Sequence, residues 1–421
     1  MKNLRTVILA AGKGTRMKSK IPKALHEICG KPIIQYVVDV VKAVGSEKNY
    51  VVVGHQMDAV KNYLPEGYGI VEQKKQLGTA DAVQCALKPL KNYRGDLLVL
   101  CGDTPLLRKE VVKALIQKHK KTQAVCTFLT AVVLDPEGYG RVMRDDKGAV
   151  VSIREEKDLE GAERAIREIN SGVYCFQAPA LLESLKEIEK NAKKGEFYLT
   201  DIIELFFEKK MKIETLETED SSEGLGINTR EDLATAAAIL RKRILTSLMD
   251  QGVTIVDPQT TYIDEDVQIG QDTVIRPFCF IEKDVRVGQS CTIGPFTRLR
   301  SGTRIGDHVE VGNFAEVNRT KVGNRSLIKH FSYLGDTTIG AHVNIGAGTV
   351  TANFDGQKKN LTRIDDHAFI GSDSVLIAPV KIGKHGVTGA GSVLTKGKNV
   401  PDHGVAVGVP ARILSTRRKS Q

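Results

Sequence analysis

A six-residue repeat in the second half of the chain constrains the fold more than any other feature of the sequence. Aliphatic residues occupy every sixth position from Ile269 to Val317, nine in succession, and glycine directly follows five of them. After one-residue slips the pattern continues to Ile345, and it resumes from Ile364 to Ile382. This period predicts a parallel β-helix, in which each aliphatic points into a narrow prism and the small neighbour allows the corner beside it. The polar stretch 351–363 interrupts the pattern, so we expect it to leave the prism as a loop.

The first half has a different pattern, in which aliphatic runs alternate with amphipathic stretches. TVILAA, YVVVG, DLLVLCGD and AVCTFLTAVV read as strands, and PIIQYVVDVVKAV, TADAVQCALKPL and KEVVKALIQKHK read as helices. The alternation predicts a mostly parallel, three-layer, Rossmann-like α/β domain. An alanine-rich helical stripe follows, with Thr229 as its cap. We therefore expect a first domain at 1–228, a linker helix at 229–249 and a β-helix domain at 250–421.

Composition limits the classes of function. The formal net charge is +10, which suits anionic partners such as nucleic acids, membrane surfaces or phosphorylated small molecules. The sequence offers no aromatic strand platform or recognition helix for nucleic acid, and no apolar run long enough for a membrane span. The seven cysteines are scattered without a CxxC pair, which predicts reduced thiols. The amino-terminal apolar run ends at Ala11, too short for a signal peptide, so we expect a cytoplasmic protein.

Two predicted strands end in residues suited to phosphate chemistry. LAAGKGTR places Gly12 and Gly14 behind the first strand, where their backbone N–H groups can approach phosphate oxygens, and Arg16 adds charge. A plain strand-to-helix turn would use the same glycines. Asp103 follows another strand and is placed to hold Mg²⁺, which prefers oxygen ligands and phosphate partners. An aspartate that caps the following turn is the alternative.

Motifs along nearly the whole chain resemble those of one known family. The first half contains LAAGKGTRM, KIPKAL, QLGTADA, GDTPLL, GYGRV, EEKD, EINSGVY, YLTDII and GIN, and the second contains GPFTRLR, VGNFAEV, HFSYLGD, VNIGAGTVTANFDG and FIGSDS. Together they resemble the bacterial bifunctional N-acetylglucosamine-1-phosphate uridyltransferases and glucosamine-1-phosphate acetyltransferases. The resemblance implies a nucleotidyltransferase domain followed by a left-handed β-helix of hexapeptide repeats.

For the first half, the resemblance implies a site for UTP and a sugar 1-phosphate. Lys23 would contact substrate phosphate, and Asn228 would join Asp103 as the second protein ligand of Mg²⁺. The residues implied for uridine-nucleotide binding are Leu9, Ala10, Ala11, Gly12, Gln73, Gly78 and Thr79, and those for the sugar are Gly140, Glu155 and Asn170. The sugar phosphate can attack the α-phosphorus directly, so no protein nucleophile is expected.

For the second half, the resemblance implies acetyl transfer from acetyl-CoA to an amino sugar. His330 matches the catalytic base, which removes a proton as the amine attacks the thioester. Arg300, Tyr333 and Asn344 match positions that hold the sugar phosphate, with Asn344 also near the histidine. The positions implied for acetyl-CoA are Asn353, Phe354, Ser372 and Ala390. The family also implies a homotrimer with active sites between subunits.

The sequence departs from the family pattern at four of these motifs. Cys101 replaces a tyrosine before the GD pair, which we interpret as a local packing change. Asn318 replaces a lysine of the sugar-phosphate site, although Arg319 is adjacent. Phe354 replaces a tyrosine, and Gly408 replaces an arginine. The last three departures change the acetyl-transfer site but leave the base, His330, in place.

Three functions remain open from the sequence. The leading hypothesis is a bifunctional enzyme that makes UDP-N-acetylglucosamine, the amino-sugar donor for cell-wall synthesis. The second keeps only the nucleotidyltransferase and makes the β-helix an oligomerisation or regulatory module. The third is a basic nucleic-acid-binding protein, whose binding would weaken with salt.

Overall fold

The structure is a computed structural model that describes residues 3–54, 57–191 and 195–416. The end of the predicted second domain, 417–421, lies outside those residues. The chain divides into two compact units, Met1–Ala237 and Ala238–Gln421. No helix among the described residues is long and apolar enough to cross a membrane.

Strands and helices alternate in the first unit, as the aliphatic pattern predicts. The strands are β1 Leu4–Ala10, β2 Glu27–Ile28, β3 Lys31–Pro32, β4 Lys48–Val53, β5 Gly69–Glu72, β6 Asp96–Cys101, β7 Cys126–Val132, β8 Arg141–Arg144, β9 Val150–Arg154, β10 Glu168–Gln177 and β11 Ile213–Glu217. The helices are α1 Ile33–Val44, α2 Met57–Lys61, α3 Thr79–Ala86, α4 Lys109–Thr122, α5 Ala178–Ser184 and α6 Asp201–Glu208. Each strand and helix predicted in this half is present.

The main sheet has the order β11-β7-β10-β6-β1-β4-β5. Its strands are parallel except β10, which runs antiparallel to both neighbours. Alternate strand residues face opposite layers: Val7 packs with α3, α5 and α6, whereas Ile8 packs with α1 and α4. The three-layer prediction is confirmed, and β1 and β6 end side by side because Leu9 pairs with Cys101.

The predicted connecting helix is α7, Arg230–Asp250. Its cap is reciprocal: Thr229 Oγ1 accepts the Asp232 N–H at 3.1 Å, and Asp232 Oδ2 accepts the N–H groups of Asn228 and Thr229 at 2.8 Å. The cap therefore fixes the backbone of Asn228 as well as the start of the helix.

The second unit is built from short strands, in chain order β12 Thr254–Ile255, β13 Tyr262–Ile263, β14 Gln268–Ile269, β15 Val274–Ile275, β16 Phe280–Ile281, β17 Arg286–Val287, β18 Thr292–Ile293, β19 Arg298–Leu299, β20 Arg304–Ile305, β21 Glu310–Asn313, β22 Glu316–Asn318, β23 Lys321–Val322, β24 Leu327–His330, β25 Tyr333–Gly335, β26 Thr337–Ile339, β27 Asn344–Ile345, β28 Val350–Ala352, β29 Thr362–Ile364, β30 Phe369–Ile370, β31 Val375–Ile377, β32 Val380–Ile382, β33 Val387–Thr388, β34 Val393–Leu394, β35 Gly404–Val407 and β36 Arg412–Thr416.

These strands form the three faces of a left-handed parallel β-helix. From β12 to β34, successive strands fall on the first, second and third face in turn, so that β12, β15 and β18 share one sheet and β13, β16 and β19 the next; β35 and β36 both join the first face. Only β36 runs antiparallel, against β35, among the strands described in this unit. All the period-six aliphatics from Ile269 to Val317 are at most 7% exposed and form one continuous core. The fold class predicted from the repeat is confirmed.

The corners of the prism differ in one respect from the prediction. Where a glycine follows the aliphatic, it allows close approach between coils: a Cβ at Gly270 would lie 2.6 Å from the Gln289 nitrogen. The left-handed backbone occurs two residues later, at non-glycine residues such as Asp272 and Phe278, with φ near 60°. Ring stacking accompanies several corners; the ring centroids of Phe278 and Phe296 are 4.7 Å apart.

The loop that leaves the prism is shorter than predicted. Thr351 lies in β28 with its side chain fully buried, and Thr362 is 1% exposed in β29. Residues 353–361 form the loop. The prediction of 351–363 was wrong at both ends. At the first end a buried threonine hydroxyl bonds to backbone, since Thr351 Oγ1 donates to the Gly335 carbonyl oxygen at 3.2 Å. At the second end Thr362 already pairs in register with Val380 of β32.

Candidate active sites

A cleft of about 830 Å³ lies at the carboxyl ends of β1 and β6. This edge is where ligands bind in open parallel sheets. Most residues predicted for the nucleotide and sugar phosphate line it: Leu9, Ala10, Ala11, Gly12, Gly14, Arg16, Lys23, Gln73, Gly78, Thr79, Asp103, Glu155 and Asn228. Gly140 and Asn170 are not among the lining residues.

The loop after β1 requires its second glycine for two reasons. Gly14 has φ 60°, and a Cβ there would lie 2.9 Å from the Lys23 Cβ. A Cβ at Gly12 would meet no atom within 4 Å, so that residue borders open space. The loop therefore packs on the lysine at one glycine and leaves its backbone accessible at the other.

Four side chains meet on the floor of the cleft. Lys23 Nζ donates to Asp103 Oδ2 in a short contact and to Asn228 Oδ1 at 3.2 Å. Arg16 Nη2 donates to the same Asn228 oxygen at 2.9 Å. The backbone fixes this meeting, because the Ile227 N–H bonds to the Asp103 carbonyl oxygen at 2.9 Å. Asp103 and Asn228, 125 residues apart, thus direct one oxygen each toward a single cation.

The donor set of this cluster is a carboxylate and an amide oxygen. No group of three or more histidines, cysteines, aspartates and glutamates among the described residues could hold a metal ion by itself. A cation at this position would take its remaining ligands from phosphate oxygens and water, the manner in which Mg²⁺ is commonly bound. The oxygens present fit such an ion.

The side of the cleft predicted for uridine is held by the start of α3. Gln73 is 4% exposed, and its Nε2 donates to the Gly78 carbonyl oxygen at 3.0 Å and to Asp81 Oδ2 at 2.6 Å. Thr79 Oγ1 accepts the Leu199 N–H at 2.9 Å. Gln76, which the sequence reasoning missed, donates to the Ala11 carbonyl oxygen at 2.5 Å and lines the cleft. Gln76 could have been found from the sequence, because it is the first residue of the QLGTADA motif.

The side predicted for the sugar has Glu155 at the cleft surface. Glu155 Oε1 accepts a hydrogen bond from Thr200 Oγ1 at 2.9 Å. Gly140 and Asn170 lie behind it, joined by a bond from the Asn170 N–H to the Gly140 carbonyl oxygen at 2.9 Å. Burial raises the pKa of the Cys101 thiol to about 12, so this lining residue is neutral.

Asp201 is the first residue of α6 and lies near Glu155 in a pocket lined by several other carboxylates. Its desolvation, with the charges of Glu155 and Glu204, raises the pKa of the Asp201 carboxyl to about 6.

In the second unit, strand register places His330 in a column of small residues. Asn313 pairs with His330 across β21 and β24. The inward residues of the next strands pair as Ile345, Ile370, Thr388 and Ala406. Two residues beyond each of them, in the place of His330, stand Ala347, Ser372, Ala390 and Gly408. The predicted base and two predicted coenzyme residues therefore lie along one edge of the first face.

The predicted sugar-phosphate residues divide between two edges. Arg300 Nη1 donates to Glu316 Oε1 at 3.0 Å, and Glu316 pairs in register with Tyr333, which follows the same corner as His330. Asn344 instead pairs with Leu327 at the start of β24. His330 comes three positions after Leu327, roughly 10 Å along the strand. Within one chain, Asn344 and His330 therefore lie at opposite edges of the first face.

The extruded loop begins beside a charged cluster. Arg319 makes two bonds to Asp336, at 2.6 and 2.7 Å, and holds the pKa of that carboxyl below its usual range. Asn353 also donates to Asp336, and Phe354 next to it is 61% exposed. Arg319 is thus engaged by a carboxylate, so its charge does not simply replace the lysine missing at Asn318.

Comparison with known proteins gives the class first. Residues 5–240 match the nucleotidyl transferase family, 284–319 match the bacterial transferase hexapeptide family, and 362–396 match the hexapeptide repeat of succinyl-transferase. The chain is therefore a transferase with a nucleotidyltransferase domain followed by a hexapeptide-repeat domain.

The chain belongs to the family of bifunctional GlmU proteins. It is 42% identical to the Bifunctional protein GlmU of Halalkalibacterium halodurans, covering 100% of this chain and 98% of that protein. It is 43% identical to that of Shouchella clausii, covering 99% and 96%. It is 44% identical to that of Oceanobacillus iheyensis, covering 100% and 98%. The family, the fold class and the bifunctional transferase class predicted from the sequence are confirmed.

Proposed function

We propose that the chain makes UDP-N-acetylglucosamine in two steps. The β-helix domain, 250–421, acetylates glucosamine 1-phosphate with acetyl-CoA. The first domain, 1–228, then transfers the uridyl group of UTP to N-acetylglucosamine 1-phosphate, and 229–249 links the two. The observation that carries the proposal is the convergence of Asp103 and Asn228 oxygens on one cation in a cleft at the carboxyl edge of the sheet.

The uridyl-transfer site works by alignment and charge. The backbone of Gly12 and Gly14, with Arg16 and Lys23, receives the phosphates. Leu9, Ala10, Ala11, Gln73, Gly78 and Thr79 hold the uridine, and Gly140, Glu155 and Asn170 hold the sugar. Asp103 and Asn228 would hold Mg²⁺, which when bound would neutralise phosphate charge.

The reaction itself needs no nucleophile from the chain. A phosphate oxygen of N-acetylglucosamine 1-phosphate attacks the α-phosphorus of UTP, and the bond from that phosphorus to the bridging oxygen breaks. Pyrophosphate leaves with the electron pair. Lys23 and Arg16 counter the negative charge that gathers in this step, and the rigid floor of the cleft keeps attacking and leaving oxygens in line.

Acetyl transfer uses His330 as a general base. Its imidazole takes a proton from the amino group as the nitrogen attacks the thioester carbon, and the carbon–sulfur bond breaks to release coenzyme A. Arg300 and Tyr333 at the same corner, with Asn344, bind the sugar phosphate. The small residues Ser372 and Ala390, with Asn353 and Phe354, receive the coenzyme.

We further propose a homotrimer that works in the cytoplasm. His330 and Asn344 lie at opposite edges of one face, so an active site that contains both draws them from neighbouring chains. Side-by-side packing of three prisms supplies that arrangement.

Two assays on the full-length protein test the proposal. Pyrophosphate release is followed with UTP, N-acetylglucosamine 1-phosphate and Mg²⁺, and free thiol is followed with glucosamine 1-phosphate and acetyl-CoA. We expect D103A to abolish the first activity and spare the second, and H330A to do the reverse. Loss of both activities in either folded variant would contradict the division of labour. Silence of the wild type in the thiol assay alone would favour a nucleotidyltransferase whose β-helix only assembles the protein, a result in line with the engaged Arg319.

A further inference from the structure

The most unusual feature of the cleft is a lysine that occupies the position where the two metal-binding oxygens converge. Lys23 Nζ bonds to both Asp103 Oδ2 and Asn228 Oδ1. The side chains of Lys23 and Asp103 are 15% and 24% exposed, so this pair is largely screened from solvent. An ammonium and a divalent cation cannot share these oxygens, because like charges at contact distance repel strongly.

The backbone around Lys23 keeps the ammonium within reach of this position. Lys23 follows Pro22, which has φ −50°, at the start of a short 3-10 helix, Lys23–Leu25. The left-handed Gly14 lies directly against its Cβ. The stem of the lysine is thus fixed beside the phosphate loop, and its flexible end can point either to Asp103 or toward the loop.

Arg16 likewise has two possible partners, Asn228 and a bound phosphate. It donates to Asn228 Oδ1 from the loop that is proposed to receive phosphate. Nucleotide phosphates in the cleft would offer both cations stronger acceptors than an amide oxygen. If Lys23 and Arg16 turned to those phosphates, the side-chain oxygens of Asp103 and Asn228 would be free to bind a metal ion.

We propose that Lys23 is an internal cation that excludes divalent metal from the nucleotide-free enzyme. The metal enters together with a nucleoside triphosphate, whose phosphates draw the ammonium away. Metal and nucleotide therefore bind with positive cooperativity, and each raises the affinity of the other by the same factor. This inference rests on the proposed uridyl-transfer function and adds to it an order of assembly.

The test measures Mn²⁺ binding to the nucleotide-free, full-length protein by electron paramagnetic resonance of the unbound ion. K23M keeps an unbranched side chain of similar size without the charge. K13M is the control: it removes a charge from Lys13, an exposed residue between Gly12 and Gly14. We expect K23M to bind Mn²⁺ about tenfold more tightly than wild type, since two charge-assisted bonds no longer compete. K13M should stay within about twofold, the part due to net charge alone.

Equal affinity in K23M and K13M would overturn the proposal. So would a gain in K23M that persists after D103A is added, because the ion would then sit elsewhere. K23Q serves as the second variant if K23M does not fold, as judged by circular dichroism. Pyrophosphate release by the wild type is measured separately: its absence would refute the proposed function, whereas a tenfold gain in Mn²⁺ affinity would still support the competition.

Discussion

Replacing Arg108 with alanine tests a buried charge that supports the segment carrying Asn228. Glu223 is fully buried, and its carboxylate is held by a short contact from Arg108 and by the Thr218 hydroxyl at 2.6 Å. It lies in the 3-10 turn Ser221–Gly224, just before Asn228. Without Arg108, the carboxylate keeps only one neutral hydrogen-bond donor among these two partners.

The exposure of the two partners sets the magnitude. An exposed ion pair contributes about 0–1 kcal/mol, whereas breaking a buried one costs about 3–5 kcal/mol. Here the glutamate is 0% exposed and the arginine 48%. The desolvation of Glu223 is not recovered when Arg108 is lost, but half-exposure of Arg108 screens part of the pair. We therefore expect R108A to lower the free energy of unfolding by about 2–3 kcal/mol.

Urea unfolding of the full chain, followed by circular dichroism at the helical band, measures this change. The chain has no tryptophan to report on unfolding. Helices α1–α6 lie in the first unit and α7 crosses the boundary between the units, so most of the helical signal reports on the first unit. The matched control is K109A, because Lys109 faces Glu110 at 3.8 Å with both side chains more than half exposed. K109A should change stability by less than about 0.5 kcal/mol. If R108A costs no more than K109A, the argument from burial is refuted.

Three further substitutions probe other parts of the chain. D201N should stabilise the protein by about 1 kcal/mol at pH 8, after allowing for partial exposure, and by nothing near pH 4. A carboxyl whose folded pKa is raised to about 6 loses stability as the pH rises toward and through that value, so a thermal-shift series that is flat with pH would contradict this. I370A, at a fully buried β-helix position, should cost about 3 kcal/mol by calorimetry, and a cost below about 1 kcal/mol would contradict core packing there. T229A should cost about 1 kcal/mol through loss of the α7 cap, measured by urea unfolding, and no change would exclude that cap.

The β-helix was predictable from the sequence because its period is also its geometry. A six-residue repeat places every inward residue by counting, and the buried series from Ile269 to Val317 follows that count. The count could not locate the left-handed corners, since residues such as Phe278 and Ser290 rarely adopt positive φ elsewhere. Nor could it show that Thr351 belongs to the wall, because the partners of its hydroxyl lie in the preceding coil.

In the first domain the sequence predicted the elements but not how they are arranged. Its strands and helices were evident, yet the antiparallel direction of β10 was not, because periodicity carries no information about strand direction. The pair of Arg108 with Glu223 was hidden for a similar reason: it joins residues 115 apart. Such contacts depend on tertiary packing and leave no local pattern.

The two candidate sites differ in the same way. At the nucleotide cleft, each strand end could be recognised as suited to phosphate, but only the resemblance paired Asp103 with Asn228. The backbone bond from Ile227 to Asp103 that brings them together has no counterpart in spacing. In the β-helix, the spacing of residues predicts more of the site. Counting one coil from His330 back to Asn313 and forward to Ala347 gives the neighbours of His330 directly, so the edge of the coenzyme groove follows from the repeat. The same count puts Asn344 at the other edge, which makes a one-chain acetyl site the harder geometry to build and a site shared between chains the simpler one.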